Sequence, residues 1–199
     1  MSWQELARCA HGVLENAGAT SVVPEILARP AFVDPRPVTP RSLAVLQWLP
    51  QAARAAPSGP LRELALRLQH TSASLAWRQS YQPPQVSAQF LARYGWCELF
   101  GLSGPLPCAT LACGVLLLGP ETLYPPHSHR AEELYVPLSG HAEWSRAGGP
   151  FELRAPGELI RHRSYEPHAM RTASEPLLAL YVWHGGGLTE SAQLERTSG

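Results

Sequence analysis

Residues 124–140 read Tyr-Pro-Pro-His-Ser-His-Arg-Ala-Glu-Glu-Leu-Tyr-Val-Pro-Leu-Ser-Gly. This stretch contains four potential metal ligands, His127, His129, Glu133 and Tyr135, and all four positions are odd. Successive side chains of a β-strand point to opposite faces, so residues of one parity share a face as long as no bulge shifts the register. Two imidazoles and a carboxylate suit a divalent transition metal and leave coordination positions for a substrate. The stretch therefore predicts a metal site inside a β-barrel.

From residue 95 onward, the sequence has the pattern of short strands separated by turns. Apolar or alternating runs are separated by turn clusters rich in glycine and proline, such as Gly148-Gly149-Pro150 and Pro156-Gly157. Evenly spaced short strands with such turns are typical of an antiparallel barrel or jelly roll. The predicted strands cover residues 96–100, 110–118, 133–138, 141–145, 151–153, 168–172 and 177–183.

The N-terminal half predicts helices instead. Ser2 and Glu5 form a capping box that opens a helix ending near residue 16, and Thr39-Pro40 reads as the start of a second helix through Leu49. The clearest helix follows Pro60, where leucines recur on one stripe. The chain thus divides into a helical N-terminal region (1–94), a barrel with the metal site (95–187) and a polar C-terminal tail (188–199).

Composition restricts the class of partner. Sixteen basic and sixteen acidic residues cancel in a chain of 199 residues, which argues against an electrostatic grip on nucleic acid. No apolar run approaches the ~20 residues of a membrane span, and the N-terminus lacks the pattern of a signal peptide. The four cysteines lie at irregular spacings, which is typical of reduced thiols. We predict a cytoplasmic protein that acts on a small molecule.

The pattern His127-x-His129-x3-Glu133-x6-Gly140 resembles the first metal motif of the cupin family. Cupins carry a second motif about one hairpin later, and here Pro156-Gly157 followed by Pro167-His168 stands in that place. The resemblance makes His168 the fourth ligand in preference to His162. It implies a mainly β protein, an antiparallel cupin barrel preceded by a small helical subdomain. It also implies one divalent transition metal ion, for which Zn, Fe, Mn, Co and Ni stay open.

The flanking residues resemble a narrower group, the cupin-type dimethylsulfoniopropionate lyases of marine bacteria. The similarity lies in Tyr124, the run 131–135, Leu138-Ser139-Gly140, Trp144 and the run 167–172. It implies that the metal is held by four residues, with Tyr124 and His127 lining the pocket. The four implied ligands are His129, Glu133, Tyr135 and His168. The generic cupin pattern uses His127 as a ligand instead, so the choice between His127 and Tyr135 stays open here.

The resemblance also implies a reaction, the β-elimination of dimethylsulfoniopropionate to dimethyl sulfide and acrylate. Tyr135 is the predicted general base and Tyr124 the second candidate. The sulfonium group suits aromatic faces, and we predict that Trp144 and Trp183 contribute to its binding. Two alternatives are another metal-dependent cupin enzyme, a dioxygenase or isomerase acting on a small carboxylic acid, and a non-catalytic cupin that binds a small ligand. Because cupins often pair, a homodimer is a further expectation.

Overall fold

A computed structural model describes residues 2–28 and 34–195, and within them two β-sheets face each other while helices cover one sheet. The helices are α1 (Trp3–Asn16), α2 (Ala19–Val22), α3 (Leu49–Ala55), α4 (Pro60–Thr71) and α5 (Ala88–Ala92), with 3-10 turns at Pro24–Ala28, Ala44–Trp48 and Ser72–Ser74. The strands are β1 (Tyr94–Gly101), β2 (Leu106–Pro107), β3 (Leu111–Leu118), β4 (Leu123–Ser128), β5 (Glu132–Ser139), β6 (Ala142–Arg146), β7 (Glu152–Arg154), β8 (Ile160–His162), β9 (His168–Thr172), β10 (Leu177–His184) and β11 (Gln193–Leu194).

The strands form one six-stranded and one five-stranded sheet. The first has the order β2-β1-β3-β10-β5-β8 and the second has the order β11-β4-β9-β6-β7. Neighbouring strands are antiparallel except for β1 and β2. The predicted architecture, mainly β with a helical N-terminal part, is confirmed.

The six-stranded sheet is buried on both faces. In β5, Leu134 and Val136 belong to the core that the sheet shares with Leu64 and Leu68 of α4, whereas Tyr135 belongs to the core between the two sheets. Strand β3 is buried at every position for the same reason, and it therefore reads as a continuous apolar run without alternation. The helices shield one face of this sheet and leave the other face to line the interior of the barrel.

The predicted N-terminal helix is confirmed together with its cap. The Ser2 hydroxyl accepts a hydrogen bond from the Glu5 backbone N–H (3.2 Å), and the Glu5 carboxylate accepts one from the Ser2 backbone N–H (2.9 Å). The helix start predicted at Thr39-Pro40 is wrong, because residues 34–43 are not helical and helical structure begins with the 3-10 turn Ala44–Trp48. Arg41 instead exchanges backbone hydrogen bonds of 3.1 Å with Leu75 and Trp77. That pairing needs an extended chain, which a helix would not provide.

Strands β2, β4, β8 and β11 lie outside the predicted set. β4 contains Pro125-Pro126, and proline lacks the backbone donor that strand pairing uses. β8 and β11 have only three and two residues. β11 lies within the region predicted as a polar tail, where it pairs with β4 at His127 and Ser128. No helix in the described part of the chain is long and apolar enough to span a membrane.

Candidate metal centre

Strand β5 carries Glu133 and Tyr135 on the face that points into the barrel. Both side chains are buried, with exposed fractions of 2% and 4%. The residue between them, Leu134, faces the helices. The odd-numbered residues of this strand therefore share the inward face, as the sequence predicted.

A bulge in strand β4 places the rings of Tyr124 and His127 on the inward face, next to Glu133 and Tyr135. Its register with β9 shifts between Tyr124 and His127, so one extra residue lies between two positions that both face inward. The Tyr124 ring stacks on the His127 ring at 3.9 Å between centroids and 8° between planes. An even-numbered and an odd-numbered residue thus share one face.

Three buried side chains form a group with the donor set of a metal site: His129, Glu133 and His168. Their ligand atoms lie within 4.8 Å of one another. His129 Nε2 is 3.0 Å and His168 Nε2 is 3.1 Å from the same oxygen, Glu133 Oε2. The His168 Nε2 atom is buried and makes no hydrogen bond to any described residue.

The opposite nitrogens of these rings explain why the group fits a cation. His129 Nδ1 donates to the Ala131 carbonyl oxygen and His168 Nδ1 to the Glu166 carbonyl oxygen, both at 2.9 Å. Because a carbonyl oxygen only accepts, Nδ1 carries the proton and Nε2 of a neutral ring presents a lone pair. Two nitrogen lone pairs and a carboxylate oxygen that face one another repel, and a positive charge between them removes this repulsion. Ring orientation by a carbonyl is also the usual support of a metal-bound histidine.

The electrostatics of the three side chains agree with this interpretation. Burial alone would raise the pKa of Glu133, but the neighbouring His129 and His168 hold it well below its usual value. Burial alone would lower the pKa of His129, yet the Glu133 carboxylate outweighs burial and raises it. The pKa of His127 is lowered well below its usual value, mainly by burial and next by the neighbouring His168. The carboxylate is therefore ionised, and a metal ion would replace a proton beside it.

Trp183 fixes the orientation of the carboxylate. Its indole Nε1 donates a hydrogen bond of 2.6 Å to Glu133 Oε1, which leaves Oε2 to face the two histidines. The indole ring also stacks on His129 at 4.1 Å. The sequence predicted Trp183 as a substrate-binding residue, and the structure adds its contact with two members of the metal group.

A network of hydroxyl groups stands next to this centre. The Tyr124 hydroxyl lies 3.1 Å from that of Tyr81 and 3.3 Å from that of Tyr94. The Tyr94 hydroxyl lies 2.9 Å from Ser80 Oγ, which accepts a hydrogen bond of 3.0 Å from the indole of Trp96. Burial raises the pKa of Tyr124. Tyr94 and Ser80 were missed in the sequence, because nothing in their local pattern differs from that of other strand and loop residues.

A cavity of about 810 Å³ opens onto the group and reaches most of the predicted site residues. It is lined by Tyr124, His127, His129, Glu133, Tyr135 and Trp183, together with Tyr94, Trp96, Tyr181 and the segment 188–192. His168 and Trp144 are not among the lining residues; the Trp144 ring lies 6.3 Å from that of Tyr135 in the core between the sheets. His162 is buried behind His168, and exposed His141 lies outside the group.

Comparison with known proteins agrees with the motifs. A family model for dimethylsulfoniopropionate lyases matches residues 25–179. The chain is 33% identical over 162 residues to the dimethylsulfoniopropionate lyase DddQ of Ruegeria pomeroyi, an alignment that covers 80% of this chain and 79% of that protein. It is also 33% identical over 161 residues to the putative dimethylsulfoniopropionate lyase DddL of Cereibacter sphaeroides, covering 79% of this chain and 65% of that protein.

Solved structures give the same result for the fold. The crystal structure of the Ruegeria pomeroyi lyase DddQ superposes with a TM-score of 0.79 at 28% identity, covering 96% of this chain and 98% of that one. A chain from the crystal structures of the lyases RdDddP and RnDddQII gives a TM-score of 0.77 at 31% identity, covering 98% and 100%. The protein described here therefore belongs to the dimethylsulfoniopropionate lyase family of carbon–sulfur lyases and has the cupin-type fold of those enzymes.

Proposed function

We propose that this protein binds one divalent transition metal ion at His129, Glu133 and His168 and cleaves dimethylsulfoniopropionate to dimethyl sulfide and acrylate. The main support for the metal site is that the buried Nε2 atoms of His129 and His168 both face the same buried carboxylate oxygen of Glu133. The Nδ1 atom of each ring is hydrogen-bonded to a backbone carbonyl oxygen. Membership of the lyase family supports the substrate.

Two further residues can complete the coordination. Tyr135 follows Glu133 by two positions on β5, and His127 lies beside His168 with 4.1 Å between ring centroids. His127 Nδ1 is 2.8 Å from the Pro125 carbonyl oxygen, which leaves its Nε2 as a free lone pair. The ligand set tolerates Zn, Fe, Mn, Co and Ni. A divalent ion held here would neutralise the substrate carboxylate and favour the ionised form of a nearby tyrosine.

The cavity offers complementary groups to both ends of the substrate. The carboxylate end suits the positive charge of a metal-loaded site. The sulfonium end has no hydrogen-bond donor, so aromatic faces are its best partners. Trp183 and Trp96 line the cavity and are the residues proposed to supply such faces. Trp144 does not line the cavity, and its ring lies 6.3 Å from that of Tyr135 in the core between the sheets.

Tyr135 is the proposed general base. Its oxygen takes the proton from the carbon next to the substrate carboxylate, the electrons of that C–H bond form the C=C double bond, and the bond from the next carbon to sulfur breaks. Dimethyl sulfide then leaves as a neutral molecule and acrylate remains. Burial, with the Glu133 charge second, raises the pKa of Tyr135, so the phenol is protonated in the metal-free protein.

The test is release of dimethyl sulfide into the headspace by purified protein, with and without a chelator and with added Fe, Mn or Zn. We expect metal-dependent release that falls by about 10²- to 10⁴-fold in Tyr135→Phe, the usual range for loss of a general base. Tyr165→Phe is the matched control, since that tyrosine is 61% exposed and is not a cavity residue. Full activity of Tyr135→Phe would show that the base is another group.

The division into regions 1–94, 95–187 and 188–199 stays a prediction, as do the homodimer and the cytoplasmic location. The helices and the six-stranded sheet share one hydrophobic core, which argues against a division at residue 94. Separate expression of residues 95–187 would test the division, and a folded product would support it.

A further inference from the structure

His162, in strand β8, is a buried polar ring that the proposed reaction does not use. Its exposed fraction is 0%, and neither ring nitrogen has a hydrogen-bond partner among the described residues. Glu166 Oε2 is 3.8 Å from Nδ1, which is too far for a hydrogen bond. Burial of two unpaired polar atoms is unfavourable, and an apolar side chain of similar size would avoid that cost. The ring must therefore offer something that such a side chain lacks.

What the imidazole offers is a compact flat face. It stacks on the ring of His168 with 4.0 Å between centroids and 9° between planes. On β5, the residue opposite His162 is Glu133, so the strand pairing fixes the position of His162 relative to the carboxylate. The His168 ring also packs against the His127 ring, with 4.1 Å between centroids and 62° between planes, and its Nδ1 is hydrogen-bonded to a backbone carbonyl.

These contacts act on different motions of the His168 ring. The bond from Nδ1 to the carbonyl fixes one point of the ring but permits rotation about that point. A flat neighbour stacked within 9° of parallel opposes a tilt of the ring plane. A tilt would move Nε2 away from Glu133 Oε2, from which it lies 3.1 Å. A branched aliphatic side chain has no flat face and would oppose the tilt less.

We propose that His162 is a positioning residue that sets the ring plane of His168 by stacking and thereby tightens metal binding. The inference rests on the proposed metal site at His129, Glu133 and His168. It assigns the effect to the flat face of the ring and not to its nitrogen atoms.

The test compares His162→Leu, which removes the flat face and the unpaired nitrogens, with His162→Phe, which keeps a flat face and removes the nitrogens. The metal dissociation constant is measured by competition with a chromophoric chelator, and the melting temperature is measured in excess chelator. We expect His162→Leu to bind metal at least about tenfold more weakly, the lower range for loss of a residue that orients a ligand. Its metal-free form should melt no lower than the wild type.

His162→Phe should keep the metal affinity within about threefold of the wild type, a change well below the tenfold effect of losing a supporting group. The control is Val136→Ala on the opposite face of β5, which should melt lower and keep its metal affinity. If His162→Leu does not fold, His162→Met replaces it. Absorption of the cobalt-loaded proteins should differ from the wild type in the leucine variant only.

Three results would overturn the proposal: wild-type metal affinity in His162→Leu, equal weakening in the phenylalanine variant, or loss of affinity in Val136→Ala that matches its loss of stability. A wild-type protein that binds no metal would instead refute the metal site itself, so the two failures are distinguishable.

Discussion

Replacing Trp183 by phenylalanine tests how the carboxylate of the metal group is held. The indole Nε1 donates a 2.6 Å hydrogen bond to Glu133 Oε1, and the ring stacks on His129. Phenylalanine keeps an aromatic face and removes the donor. A hydrogen bond to a charged group contributes about 1.5–3 kcal/mol, and 1.4 kcal/mol corresponds to a factor of ten. We therefore expect the metal to bind about ten- to a hundredfold more weakly.

The assay is competition with a chromophoric chelator, followed by dimethyl sulfide kinetics at saturating metal. Because the aromatic face remains, the KM for dimethylsulfoniopropionate should change less than the metal affinity. Trp144→Phe is the matched control: Trp144 is buried, and its Nε1 has no hydrogen-bond partner in the described part of the chain. Unchanged metal affinity in Trp183→Phe, or an equal loss in Trp144→Phe, would refute the reasoning.

Three other predictions concern the same region. Metal at a hundred times its dissociation constant should stabilise the protein by about 2.7 kcal/mol, or roughly 5–11 °C in melting temperature, and an unchanged melting curve would contradict binding to the folded state. Tyr124→Phe should lower kcat about tenfold, since it removes one hydroxyl from the network, while metal affinity stays constant; a change in affinity would make Tyr124 a ligand. Gly187→Val should loosen the segment 188–195 and raise KM, because φ is +68° and a Cβ would lie 2.8 Å from the Arg130 Cβ. Limited proteolysis measures this, and Gly148→Val is its control because φ there is +72° with no atom within 4 Å; equal proteolysis of the two variants would contradict the expectation.

The inward positions of Glu133 and Tyr135 were predictable because both residues lie on one strand with a regular period. On β5 the alternation places Glu133 and Tyr135 inward and Leu134 outward, as the sequence indicated. The bulge in β4 was not predictable, because Pro125-Pro126 reads as loop and no periodicity marks a register shift. Tyr124 reaches the site only through that bulge.

Contacts between distant segments had no signal in the sequence. The hydrogen bond from Trp183 to Glu133 joins residues 50 positions apart, and the one between Tyr81 and Tyr124 joins residues 43 apart. In the sequence, His162 is an alternative to His168 as a metal ligand, whereas in the structure its ring stacks on that of His168. A strand of three residues offers too short a pattern to reveal this position.

The helix predicted at Thr39-Pro40 shows how tertiary pairing overrides a local signal. A threonine followed by proline is a good helix start, and apolar residues follow at helical spacing. The backbone of Arg41 nevertheless pairs with the chain at Leu75 and Trp77. Only the partner segment at Leu75 and Trp77, more than 30 positions away, decides between the two conformations.

The most direct test of the central claim is a stoichiometric titration of chelator-treated protein with Fe, Mn or Zn while dimethyl sulfide release is recorded. With an activating metal, the rate should rise from a negligible value and level off at one metal ion per chain. Glu133→Gln should give no rise at the same concentrations, because it removes the one charge that the two histidines face. Full activity in the metal-free protein, or an equal rise in Glu133→Gln, would contradict the account.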